Sequence, residues 1–110
     1  MISERYWRGG IRIGNSFFDA INITFPFVTL IIYSSIIEFR INLLFKIKII
    51  TIKICDIKII KKVNGIFFNG VQIVHSNLDY PKYIVFWSCK YDDIINELEF
   101  QLLNFKEQNA

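Results

Sequence analysis

Ile37-Glu38-Phe39-Arg40-Ile41-Asn42-Leu43 sets an apolar side chain at every second position and a polar one between. Successive side chains of an extended strand point to opposite sheet faces. Ile37, Phe39, Ile41 and Leu43 therefore share one face, and Glu38, Arg40 and Asn42 the other. A half-buried antiparallel strand has this pattern, and the neighbouring segments are read outward from it.

On the C-terminal side, Lys46, Lys48, Thr51, Lys53 and Cys55 alternate with Ile47, Ile49, Ile50, Ile52 and Ile54, but Ile49 and Ile50 are adjacent. A one-residue slip turns every later side chain to the other face, so a bulge or tight bend is expected there. Cys55-Asp56 marks a bend and residues 57–63 a further strand. Asn64-Gly65 and Asn69-Gly70 each suit a two-residue hairpin turn. Only three residues separate them, so one is expected to be the turn and the other a bulge or loop end. Residues 71–76 and 83–89 read as strands flanking a polar loop at 77–81.

On the N-terminal side, Ser34-Ser35 is a turn and residues 27–33 form a strand too apolar to alternate, as where both faces are covered. Pro26 favours an extended residue before it. Residues 17–23 are ambiguous. Gly9, Gly10 and Gly14 make residues 8–16 irregular or an edge strand. The uncharged run at 20–37 is barely long enough for a membrane helix. Asn22, Thr24, Thr29, Ser34 and Ser35 interrupt it and Pro26 would break a helix near its middle, so the strand reading is preferred.

The end of the chain changes period. Ile94, Ile95, Leu98, Leu102 and Phe105 fall on one helical stripe, and Asp92 and Asp93 suit the positive end of the helix dipole. A helix is predicted over about 91–104, with residues 106–110 and 1–7 frayed and one domain core over about 8–105.

Composition agrees. With 53% hydrophobic and 21% charged residues, the chain can offset its ordering entropy and is not disordered. Its 23 isoleucines and 11 phenylalanines favour strands. The +3 charge is too small to point to nucleic acid. One histidine and two distant cysteines cannot supply a four-ligand zinc site, and no cofactor is implied. No leader pattern opens the chain, so a cytoplasmic protein with Cys55 and Cys89 as reduced, buried, inert thiols is expected.

The order of these pieces resembles the pleckstrin-homology-like superfold, and within it small bacterial PH-like domains. The matching pieces are Gly14-Asn15-Ser16, the stretch from Asn22 to Leu30, Lys53 to Ile60, Gly70 to His75, and Ile84 to Trp87 before the helix. The resemblance implies a mainly β fold with one C-terminal α-helix: a partly open barrel of six or seven antiparallel strands capped by the helix. It implies no catalytic residues. Lipid-binding members of the superfold carry Lys and Arg between the first two strands. Residues 17–27 here have neither.

Candidate chemistry is sparse. No phosphate loop, HExxH or G-x-S-x-G pattern occurs, and His75 reads as a hydrogen-bonded strand-end residue, so no enzyme is expected. Trp87 reads as core. Phe67 and Phe68 are strand neighbours that cannot both face inward, so one is exposed or rests on a partner. Lys46, Lys48, Lys53, Lys58, Lys61 and Lys62 stand against Asp56 alone. They read either as an anion-binding face or as solvated, edge-protecting lysines. The expectation is a non-catalytic module that binds a protein or itself through a strand edge or apolar patch. The alternative is peripheral binding to anionic membrane through the Lys46–Lys62 face.

Overall fold

The computed structural model describes residues 5–16, 19–65 and 68–108. In chain order it contains β1 (Arg5–Gly14), β2 (Ala20–Ile32), β3 (Ile36–Leu43) and β4 (Lys46–Lys53). A single 3-10 turn (Ile54–Asp56) leads into β5 (Ile57–Val63), β6 (Asn69–His75) and β7 (Tyr83–Ser88), and α1 (Tyr91–Gln108) closes the fold. The strands pair antiparallel in the order β4-β3-β2-β1-β7-β6-β5, which leaves β4 and β5 as edges. This is a mainly β fold, seven antiparallel strands in one open sheet that curls as a partly open barrel does, with its one described α-helix at the C-terminal end.

Far from being irregular or an edge, β1 is the central strand, paired with both β2 and β7. Its glycines explain the difference. A Cβ on Gly9 would lie against the Trp87 carbonyl oxygen and 2.8 Å from Phe86 Cζ. Bare backbone at that point lets the sheet fold closely over itself. The register between β1 and β2 jumps from Gly9↔Val28 to Ile11↔Ile23. Residues 24–27 of β2 thus stand against Gly10 alone, and the resulting bulge throws Phe25 and Phe27 outward.

The bulge expected at Ile49-Ile50 is absent: β4 pairs with β3 in unbroken register from Ile36↔Lys53 to Leu43↔Lys46. The alternation never changes phase. Ile50 and Ile52 point inward, opposite Phe39 and Ile37, while Ile47 and Ile49 point outward. Lys46 and Lys48 occupy the inward face at the end where the barrel opens to water.

The inward face buries Ile11, Val28, Leu30, Phe39, Ile50, Ile52, Ile73 and Phe86 completely, and α1 adds Ile94 and Leu98. Each such side chain contributes about 1.5–3 kcal/mol on removal from water. The rings of Phe39 and Phe86 approach to 6.0 Å between centroids and join the two halves of the sheet. Ile95, Leu102 and Phe105 pack on this core, so the predicted stripe does face it. The helix runs on to Gln108 instead of ending near 104.

Trp87 departs from its expected place. Cross-strand pairing puts it beside Gly10 and Gly70 on the outer face, where it is half-buried, while its neighbour Phe86 takes the core position. Neither Asn-Gly pair forms a two-residue hairpin turn, and no described glycine has positive φ. Gly65 and Gly70 instead lie against the Trp87 ring, where a Cβ would come within 2.8 Å of it. Phe68 is partly exposed and stacks on Phe25 at 6.2 Å; Phe67 lies outside the described residues.

Candidate functional site at the open end

Antiparallel pairing sets two connections side by side and brings a third against β2. Gly14 pairs with Ala20 and with Tyr83, so the β1–β2 and β6–β7 connections are neighbours. The β3–β4 turn faces β2, because Asn22, Ile23, Thr24 and Phe27 line one groove with Asn42, Leu43 and Leu44. The helix packs on β6 and the 3-10 turn. That turn is tied to Ser35 by the Ile54 N–H at 2.9 Å.

The groove exists because β2 and β3 part company. Their pairing runs only from Ile32↔Ile37 to Val28↔Ile41. Beyond it the bulge carries β2 aside, and a wedge of about 580 Å3 opens between the strands. Its walls are apolar (Ile23, Phe27, Leu43, Leu44), with amide and hydroxyl groups from Asn22, Thr24 and Asn42. A volume of this order suits a ligand or an inserted side chain.

Past the wedge, Leu44 and Phe45 form the turn of the β3–β4 hairpin and are 88% and 93% exposed. Phe27, exposed on the β2 bulge, shares the groove with Leu44, and Ile47 and Ile49 are exposed on the adjoining β4. Scattered single apolar residues are normal on a surface; a cluster at one end marks a contact site.

The lysine run is divided. Lys46 and Lys48 stand opposite Leu43 and Ile41 at the open end, and Lys53 lies at the far end of β4. Lys58, Lys61 and Lys62 belong to β5, the other edge strand. Lys62 Nζ sits 4.8 Å from the centroid of the Tyr91 ring. A hydrogen bond with that side chain raises the Lys62 pKa, with further electrostatic support from Tyr91 and Asp92.

His75 caps β6, as its sequence position suggested. Its Nδ1 accepts the Asn77 backbone N–H at 3.1 Å, so Nε2 carries the proton and donates it to the Pro81 carbonyl at 2.8 Å. Both ring nitrogens hold the β6–β7 connection. Asp79 also belongs to this local network, through its backbone N–H donating to Asn77 Oδ1 at 2.9 Å.

The cysteines correct an expectation, for both thiols are exposed. Cys55 lies on the 3-10 turn and Cys89 between β7 and α1, in connections that run over the surface. Among the described residues no three His, Cys, Asp or Glu side chains gather as a metal site. No described helix is long and apolar enough to cross a membrane, and residues 20–32 of the uncharged run form β2.

Sequence reasoning marked the lysines and passed over Leu44 and Phe45. A signal was present: Leu43-Leu44-Phe45 puts three apolar residues between two strands, where turn chemistry calls for Gly, Asn, Asp or Ser. The chain matches no family model, no curated protein and no solved structure.

Proposed function

We propose that this chain is a non-catalytic PH-like contact module, and that its contact surface is the apolar open end. The observation that carries the reading is the groove shared by exposed Phe27, Leu43 and Leu44, continued along the same hairpin by exposed Phe45, Ile47 and Ile49. Burying even part of such a surface against a partner is favourable at about 25 cal/mol per Å2. A protein or a second copy is one partner class, supported by the wedge and by the free edge of β4. An anionic membrane is the other, supported by Lys46 and Lys48 directly behind the apolar tip.

The native chain and a Leu44→Asp, Phe45→Asp variant distinguish a contact surface from an inert one. The native chain should self-associate in light scattering or sediment with lipid vesicles, and the variant should do neither. A native chain that stays monomeric at high concentration and ignores vesicles would remove the reading.

A further inference from the structure

Apart from the contact surface, we infer that the outer face of the sheet carries a binding pocket among Phe25, Phe68 and Trp87, and that its ligand is a small molecule built on a flat heteroaromatic ring without positive charge.

The β2 bulge separates this pocket from the wedge. Both touch Asn22, Ile23 and Thr24, the wedge on the side of the β3–β4 hairpin and the pocket toward β1 and β7. The pocket holds about 320 Å3. Small-molecule sites run from roughly 300 to 1,000 Å3, so this one suits a ligand of one or two fused rings.

Its walls follow from the pairing of the strands. Gly10 and Trp87 are cross-strand partners, and the glycine sets bare backbone beside the indole. A Cβ on Gly10 would lie 2.7 Å from the Ile23 carbonyl oxygen, so β1 meets the bulge this closely only through a glycine. Gly65 and Gly70 lie against the six-membered ring of the indole. Packing of that kind fixes a side chain before any ligand arrives. Phe25 and Phe68 complete the walls, with planes only 28° apart and centroids at 6.2 Å. They are 54% and 38% exposed, so ring surface remains open to a ligand.

The lining decides the chemistry. Stacked rings with centroids roughly 4.5–7 Å apart gain energy beyond simple burial, a gain that an aliphatic ligand forgoes. Asn22 brings an amide donor and acceptor and Thr24 a hydroxyl, which suit the nitrogen and carbonyl edge of a heteroaromatic ring. No charged side chain lines the pocket among the described residues. Aromatic walls alone would also attract a cation. Against that, strand alternation puts Arg8 and Arg12 on the same face of β1 as Gly10, one on each side and each about 7 Å along the strand. Their guanidinium groups repel a cationic ligand and tolerate a neutral or anionic one.

The experiment adds adenosine, and separately the one-ring probe thymidine, to the full chain and follows tryptophan emission. At least one should quench it saturably. Trp7→Phe should keep that signal, since Trp7 packs against the core, and Trp87→Phe should remove it. Phe25→Ala and Phe68→Ala should each weaken binding about fivefold or more, as loss of a stacking ring does. Circular dichroism should stay unchanged, because both rings are partly exposed. Cyclohexanol and choline, at the same concentration as the nucleoside, should not displace it. Leu44→Asp with Phe45→Asp should leave the affinity within about twofold, since neither residue lines the pocket.

Absence of saturable quenching by either nucleoside overturns the inference, as does affinity untouched by both phenylalanine variants. Displacement by cyclohexanol would show a merely apolar hole, and displacement by choline a cation cage; each contradicts the proposed ligand. A single-stranded oligoadenylate that binds far more tightly than adenosine would make a strand the ligand and overturn the small-molecule reading. Nucleoside binding without self-association or vesicle binding would sink the contact module and leave this site, and the reverse result would do the opposite.

Discussion

Ile41 and Lys48 stand directly opposite each other across β3 and β4, on the same face of the sheet. Ile41 is 2% exposed and Lys48 is in solvent, so the limit of the core passes between them. Substitution at the two positions should therefore differ sharply. Ile41→Lys should cost several kcal/mol or prevent folding, because it buries an unpaired charge. Lys48→Ile should change stability by no more than about 0.5 kcal/mol while increasing self-association. Urea unfolding and light scattering read both outcomes; equal destabilisation by the two changes would contradict the boundary.

Gly9 has no room for a methyl group between the Trp87 carbonyl and the Phe86 ring. Gly9→Ala should destabilise by about 1–3 kcal/mol or more, since overpacking forces strand or side chain to shift. In an ordinary strand the same change would stabilise. A Gly9→Ala chain with an unchanged or raised midpoint of unfolding would show that β1 and β7 do not approach this closely.

Replacing His75 with Ala removes both bonds that hold the β6–β7 connection and should cost about 1–3 kcal/mol. The Asn77 amide, which donates to Nδ1, should then exchange with solvent faster than in the native chain. Unaltered protection at Asn77 would argue against the clamp.

Both thiols should react with an aromatic disulfide reagent in the folded state, at rates typical of accessible cysteine, since Cys55 and Cys89 are exposed. Reaction that waits for unfolding would place either residue in the interior.

Lys62 offers the pH test. Its hydrogen bond with Tyr91 raises its pKa above the ordinary 10.5. A raised folded-state value means that the stabilisation is complete below 10.5 and is lost as pH climbs through the folded-state pKa. Lys62 therefore adds no pH dependence near neutrality. Titration of its Nζ by NMR should give a midpoint above 10.5, returning toward it in Tyr91→Phe; a native midpoint below 10.5 would disprove the contact.

The strand sequence and the closing helix were legible because period-2 and period-3.6 patterns record which face is apolar. Residues 37–43 and the stripe from Ile94 to Phe105 needed no further context. The Ile49-Ile50 step looks like a break in phase only if every lysine faces out and every isoleucine in. That holds only where the inward face is covered, and β4 runs from covered to open along its length. The lysine run appeared as one face in sequence, yet it divides between two edge strands because pairing order does not follow chain order.

Local pattern alone determined that this chain would form strands closed by an amphipathic helix, since the burial of alternate side chains is a property of each segment. Tertiary structure decided where the barrel opens, because that depends on β2 leaving β3 after Val28. The same apolar side chains are core on one side of that point and contact surface on the other. Coverage by distant parts of the chain is what separates them.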